Sequence, residues 1–357
     1  MNELIMNGPG AAEGRTVHWG MLSTAGIGRV AAQALADVPG AQFVAVAGRD
    51  RQRAVAYAAE LGIPRSFGSY EELLADDEVD VVYVPLPIAL HTEWTIKALQ
   101  AGKHVLCEKP LAPTAAEAAA CFDAAEAAGR HCVEGLMWRH HPQTRRAQQL
   151  IADGAIGRLA HIRAALSVDV PPGDIRRTGR LGGGAVLDLG CYCISAVRLF
   201  GGEPLAVSAA QVVDPTEGAA GGDLRLAATL QLPYDVLAQL DVALDFPRRD
   251  ELELIGTAGK ITVPDPWLCR RGYLDLERGG VTKRIAVDPD GQLGLTAPGE
   301  DNLDAYRIEL ATTTAMIING DPPTFGREDA VAQAATVEAV RTAARTGQLV
   351  TPSTQLS

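Results

Sequence analysis

Five short runs of consecutive apolar residues, each separated from the next by a stretch of helical periodicity, leave the first third of this chain few ways to fold. Val17-His18-Trp19-Gly20-Met21-Leu22 reads as a strand with a helix over 27–36 behind it, and Phe43-Val44-Ala45-Val46-Ala47 as a second with a helix over 54–61. Residues 79–84 and 104–107 read as a third and fourth strand, followed by helices over 91–101 and 115–128, and His131-Cys132-Val133 as a fifth. Strands apolar on both faces must be covered on both faces, and parallel neighbours need a crossover helix between them. The expected fold is α/β, opening with a doubly wound parallel sheet.

The pattern changes beyond residue 150. One helix over 184–200 is followed by β-like runs over 160–168, 205–213, 224–232, 236–246, 252–255 and 285–287, the first of them preceding it. Alternation such as Leu224, Leu226, Ala228 and Leu230 fits an antiparallel sheet with one face packed and one free, and a free face suits subunit pairing. Helices over 302–319 and 328–346 close the chain, and residues 218–222 read as a loop. The division expected is an extension without order over 1–15, a dinucleotide-binding domain over 16–136, and a substrate and oligomerisation domain over 137–357 whose last helices return to the first domain.

A formal charge of −12 over 357 residues, with no long basic run, argues against a nucleic-acid or anionic-membrane partner. The six cysteines form no C-x-x-C pair, so neither a zinc site nor a disulfide framework is expected. Nothing resembles a signal peptide or a membrane span, and the cytoplasm is the expected compartment.

The turn after the first strand is Ser23-Thr24-Ala25-Gly26-Ile27-Gly28. A dinucleotide-binding Rossmann turn places glycines where Ser23, Ala25 and Gly28 stand, so the strict fingerprint is absent. All three residues are small, and the helix start still offers free N–H groups to phosphate. The second strand ends Ala47-Gly48-Arg49. An acid there would take the ribose hydroxyls of NAD, whereas the fork of Arg49 suits the 2′-phosphate of NADP. Arg53 adds a second charge or is a solvated helix residue, and Asp50 leaves room for NAD. Pro85-Leu86-Pro87 makes a stiff loop at the end of the third strand, where ligands of open α/β sheets bind. His91, at the next helix start, either touches cofactor or substrate or is structural.

At the end of the fourth strand Val105-Leu106-Cys107 runs into Glu108-Lys109-Pro110. A buried strand gains nothing from an unpaired lysine, so a carboxylate and an amine delivered there and stopped by proline point to chemistry.

Residues 85–111 resemble the Gfo/Idh/MocA oxidoreductases, and the resemblance extends to Trp138-Arg139-His140-His141-Pro142-Gln143, to Gly182-Gly183-Gly184-Ala185-Val186-Leu187-Asp188-Leu189-Gly190-Cys191-Tyr192 and to the C-terminal helices. It implies a Rossmann domain followed by an α/β domain with a large open, mostly antiparallel sheet that commonly forms dimer or tetramer interfaces. It also implies cofactor contacts at Pro85, Leu86, His91, Glu108, Lys109, Trp138 and Arg139, and a cis Lys109-Pro110 peptide. Within the family the chain looks most like two branches, the NADP-dependent xylose and dihydrodiol dehydrogenases and the 3-ketoreductases of nucleotide-linked deoxysugars.

Asp188 and Tyr192, four apart, share a helix face. The expected mechanism makes Tyr192 the acid/base while hydride moves to or from nicotinamide, with Lys109 lowering the tyrosine pKa and orienting the reacting oxygen. Either Lys109 or Tyr192 carries the proton, and Asp188 holds a neighbouring sugar hydroxyl. Trp138 walls nicotinamide or sugar, or is core; Arg176 reaches substrate or caps a loop. No metal is expected. The resulting expectation is an NADP-dependent oxidoreductase of a sugar or cyclic polyol, with NAD as a second cofactor, and its competitor is a non-catalytic NADP(H)-binding sensor.

Overall fold

The computed structural model describes residues 15–216 and 221–354, so residues 1–14 of the expected extension and residues 218–220 of the expected loop lie outside the described residues. A six-stranded, wholly parallel sheet holds β1 (Val17–Leu22), β2 (Ala41–Ala47), β3 (Arg65–Phe67), β4 (Val81–Val84), β5 (His104–Glu108) and β6 (Cys132–Gly135) in the order β3-β2-β1-β4-β5-β6. The strand order reverses between β1 and β4, which places the switch-point crevice at the carboxyl ends of those two strands. Helices α1 (Gly26–Ala36), α2 (Arg51–Leu61), α3 (Tyr70–Leu74), α4 (His91–Gln100) and α5 (Ala115–Ala128) are the crossovers. α2 and α5 are started by side-chain caps from Asp50 and Thr114 and ended by Gly62 and Gly129 in the left-handed region.

The second sheet has eight strands: β7 (Leu159–Ser167), β8 (Ala206–Val213), β9 (Asp223–Gln231), β10 (Leu237–Ala243), β11 (Arg249–Gly256), β12 (Lys260–Thr262), β13 (Tyr273–Arg278) and β14 (Val281–Ala286). Their order is β14-β13-β12-β11-β7-β10-β9-β8, and every pair is antiparallel except β7 with β10. Along β9, Leu224, Leu226, Ala228 and Leu230 are buried while Arg225, Ala227 and Gln231 are exposed, the period of two expected of a one-sided sheet. The buried face is covered by α7 (Cys191–Gly201), which continues a π-helical turn, Val186–Gly190. The run Gly179–Gly201 is long and apolar enough to cross a membrane, but 78% of its window is buried inside the fold.

α6 (Pro142–Ala152) links the two halves, and the chain ends with α8 (Asp304–Asn319) and α9 (Arg327–Thr346). Leu310, Met316 and Ile317 of α8 join the core on one face of the parallel sheet, with Val17, Trp19 and Tyr83. Ala330, Val331, Ala334 and Ala335 of α9 join the core on the other face, with Leu99, Val105 and Ala118. Val337, Val340 and Ala343 of the same helix belong to the core of the second sheet. The last two helices thus clamp the two sheets together.

Candidate active site

The β1–α1 turn is shaped for an anion despite its missing glycines. Ser23 adopts φ 113°, a conformation glycine takes at little cost, and its N–H is tied to Ala47 O at 2.8 Å. Ala25 provides no side-chain cap to α1; in the first turn Gly28 N donates to Ala25 O at 3.1 Å, and the N–H groups before it are left for a ligand or water. A Cβ on Gly26 would meet nothing within 4 Å, while one on Gly28 would lie 2.5 Å from Met21 Sδ and 2.6 Å from the Tyr57 hydroxyl. Gly28 therefore serves close helix–strand packing, and the open side of the turn lies at Gly26. Thr24 and Ile27 flank it half-buried.

At the end of β2, Arg49 and Arg53 are exposed, and neither makes an ion pair among the described residues. Asp50 beside them is committed: its Oδ1 accepts the N–H groups of Gln52 (2.9 Å) and Arg53 (3.1 Å) at the start of α2. Two uncompensated guanidiniums next to an occupied acid fit the 2′-phosphate of NADP better than the bare ribose of NAD.

β5 delivers Glu108 and Lys109 to the crevice, and the Lys109-Pro110 peptide is cis. Glu108 Oε1 accepts from the Tyr83 hydroxyl at 2.6 Å and Oε2 from Lys109 N at 3.3 Å, so it supports the turn. Burial raises the Glu108 pKa against the opposing pull of Lys109 and Tyr83. Beyond the proline, Leu111 N donates to Glu134 Oε1 at 2.9 Å. His91 is 1% exposed, with Nδ1 and Nε2 each 2.8 Å from a carbonyl, Pro110 O and Leu86 O. His91 therefore takes the structural alternative, stapling the Pro85-Leu86-Pro87 loop to the lysine turn; Pro85 and Leu86 are themselves buried.

Lys109 Nζ donates to Asp188 O at 2.6 Å and to Asp188 Oδ1 at 3.0 Å, with side-chain exposures of 13% and 15%. Helix-interior carbonyls are normally consumed by the backbone ladder, and Asp188 lies in the π-helical turn, where such groups are freed. Burial works against the ammonium, but Asp188, Cys191 and Glu108 outweigh it and hold the Lys109 pKa above its ordinary value. Gly184 starts this segment at φ 133°, where a Cβ would lie 2.3 Å from Asp223 Oδ1, and Asp223 Oδ2 accepts Val186 N at 2.7 Å. The glycine lets the Asp223 carboxylate cap the turn that carries Asp188.

Tyr192 does not stand as expected. Its hydroxyl donates to Met137 Sδ at 3.6 Å, its ring packs 5.9 Å from that of Trp267, and Lys109 Nζ lies over the ring, 4.9 Å from the centroid. Burial pushes the phenol well above its usual range, so the lowering expected from Lys109 does not occur: the ammonium meets the ring face and spends its hydrogen bonds on Asp188. Trp138 is 1% exposed and packs against Trp267 and Phe200, which is the core alternative. Arg139 is also buried; it is bound to Asp329 at 2.6 and 3.0 Å and stacked 3.6 Å from the Phe325 ring centre, so its charge ties α9 down and is not offered to a cofactor. Arg176 caps its own loop through Asp174 at 2.9 and 3.0 Å, yet its charge still feels Asp188.

Sequence reasoning missed Tyr83, Glu134 and Asp223. Tyr83 alone left a signal, as the one polar side chain in Val81-Val82-Tyr83-Val84. The other two act on partners 23 and 37 residues away, a pairing no spacing announces.

Two family profiles match the chain, "Oxidoreductase family, NAD-binding Rossmann fold" over residues 17–136 and "GFO/IDH/MocA C-terminal domain" over 144–262. D-xylose 1-dehydrogenase (NADP(+)) 2 of Haloferax volcanii is 36% identical over 342 residues, covering 93% of this chain and 98% of the relative. The dTDP-3,4-didehydro-2,6-dideoxy-alpha-D-glucose 3-reductase of Actinomadura kijaniata is 33% identical over 338 residues, covering 94% and 97%. A crystal structure of a 3-ketoreductase from the same organism, with NADP and TDP-benzene, superimposes with a TM-score of 0.82 at 30% identity over 92% of this chain and 98% of that one. Levoglucosan dehydrogenase with NADH and levoglucosan shares the fold, with a TM-score of 0.86 at 22% identity over 95% and 100%.

Burial lifts the Glu134 pKa to about 7 against its bond from Leu111 N. An acid whose pKa rises on folding is protonated in both states at low pH, and the native state loses stability as pH climbs through the raised value. Glu134→Gln keeps an acceptor for Leu111 N and removes that loss. Thermal melts should show a higher Tm than wild type at pH 8 and little difference at pH 5; an equal shift at both pH values would refute the assignment.

Proposed function

The chain belongs to the Gfo/Idh/MocA oxidoreductase family, and on that premise we propose that it moves hydride between NADP and a carbon–oxygen centre of a sugar or cyclic polyol. The observation that carries this reading is the Lys109–Asp188 pair, a charged hydrogen-bonding couple at the carboxyl end of β5, one strand from the switch point, with an anion-shaped turn after β1 and two uncompensated arginines after β2. NADP supplies the hydride donor or acceptor. Lys109, held cationic, binds the reacting oxygen as negative charge develops on it. Asp188 accepts from a neighbouring hydroxyl, the one contact in the cleft that a ketone or alcohol without that hydroxyl would lack. Tyr192, held protonated by burial, delivers its proton to that oxygen during reduction and must leave Met137 to do so.

A second reading, reduction of the 3-keto group of a nucleotide-linked deoxysugar, is supported by the 33% identity to the Actinomadura reductase. The intact Lys109, Asp188 and Tyr192 set favours an enzyme over a cofactor-binding sensor. The free face of the second sheet, with small, exposed Ala227 beside exposed Arg225, suits pairing of copies into a dimer or tetramer. We place the protein in the cytoplasm, where cell fractionation should find it.

Lys109→Ala and Tyr192→Phe should each lower kcat by roughly two orders of magnitude or more, with NADPH binding retained by fluorescence titration. Full activity in both variants would defeat the reading. With both groups protonated at neutral pH, reduction should be flat with pH until the alkaline range while oxidation keeps rising, and pH–rate profiles in the two directions check the sign. Arg49→Ala should weaken NADPH binding about tenfold or more and leave NADH nearly unchanged; equal losses would mean that Arg49 does not read the 2′-phosphate. Ala227→Arg should shift the species seen by light scattering towards monomer, and an unchanged mass would remove that face from the interface.

A further inference from the structure

Tyr306, on the first turns of α8, packs against both the core on the α8 side of the parallel sheet and the core of the second sheet. It therefore stands, part-buried, at the seam between the sheets, within the field of the Glu108–Lys109 strand end. Its hydroxyl has no hydrogen-bond partner among the described residues and is not sealed from solvent. The charged groups whose fields reach it come from three directions. Glu108 and Lys109 lie on the catalytic strand end, Glu309 one turn along its own helix, and Arg248 before β11. Arg248 is committed to Asp250 at 2.6 and 2.8 Å, and Lys109 to Asp188. Glu309 is 3% exposed, and its Oε1 is sealed without a partner, so it sits there as a neutral acid or as an uncompensated buried charge.

We propose that Tyr306 is a substrate-positioning residue of the reaction centre, a phenol that donates its hydrogen bond to a sugar or polyol oxygen lying between Lys109 and α8. This goes beyond the assignment of Lys109, Asp188 and Tyr192 and rests on the sugar or polyol reading of the cleft. Lys109 takes the reacting oxygen and Asp188 one neighbour, and both meet the substrate from the side of β5 and the π-helical turn. A ring-shaped polyol presents further oxygens towards α8, where Tyr306 carries an unclaimed donor beside the catalytic lysine. Burial, then Glu108 and Glu309, raise the phenol pKa over the opposing pull of Lys109. The group therefore stays a donor through neutral pH and binds an acceptor without exchanging a proton with it. Neither a substrate oxygen bound there nor the ring that carries the phenol changes the hydride path, so its effect falls on KM.

Tyr306→Phe keeps the ring that bridges the two cores and removes only the donor. The probe is whichever of D-xylose, D-glucose or myo-inositol the wild type oxidises best with NADP. KM for that substrate should rise about tenfold, kcat should stay within roughly threefold, and the pH–rate profile, the Kd for NADPH and Tm should match the wild type. An unchanged KM overturns the proposal. So does a loss of NADPH affinity, which would place the phenol on the cofactor, and so does a collapse of kcat with a displaced pH profile, which would make Tyr306 a proton carrier. A wild type that turns over no sugar or polyol overturns the reading of the cleft and this proposal with it, a result distinct from failure of the variant alone.

Discussion

The bond between Lys109 and Asp188 is the constraint on which the rest of this molecule depends. It joins the end of a strand in one sheet to a helical turn packed on the other, with both side chains largely removed from water. An ammonium left there without a partner would cost several kcal/mol, so the carboxylate and the carbonyl of Asp188 must both be in place. Each end is fixed by a further layer. His91 and Glu134 hold the Pro110–Leu111 peptide, one at its carbonyl and the other at its N–H, and Asp223 caps the π-helical turn through the space that Gly184 leaves. The placing of the Lys109–Asp188 pair therefore depends on groups outside it.

Three acids are gathered behind this pair. Glu108, Glu134 and Glu309 are all raised by burial, and each pair they form costs more as pH rises. Such an arrangement is poor for stability, and Glu108 within it joins Asp188 and Cys191 in holding Lys109 cationic. Burial first, and Glu108 after it, keep Tyr192 and Tyr306 protonated, so on the proposed reading the cleft offers donors and a positive charge to an oxygen that is becoming an alkoxide. Natural folds tolerate this kind of local conflict at functional sites because the surrounding packing over-determines it. Here that packing comes from α8 and α9, which share residues with the cores of both sheets.

Much of the fold was legible in the chain. β1 and α5 coincide with the expected spans, and the other parallel strands match within two residues, because buried parallel strands are apolar on both faces. β3 and α3 escaped notice: Arg65-Ser66-Phe67 is a half-buried edge strand with no apolar run, and five residues are too short to show a helical period. β12 and β13 were missed for a related reason, since strands near a sheet edge mix charged and apolar residues. At the candidate site, Lys109 and Asp188, named through their motifs, pair with each other, whereas Trp138 and Arg139, named by the same resemblance, turn inward to Trp267 and Asp329.

The sequence by itself determined the two kinds of sheet, the anion-shaped turn, the arginine at the end of β2 and the lysine at the end of β5. These are local properties: periodicity, small residues at a turn and a charge at a strand end are all written within a few neighbours. Only the tertiary structure decided which of those charges are free and which are spent. Lys109 meets Asp188 across 79 residues and Arg139 meets Asp329 across 190, while Arg49 and Arg53 meet no acid among the described residues. A charged side chain finds its partner by the packing of whole elements, and that packing is set by apolar surfaces elsewhere in the chain.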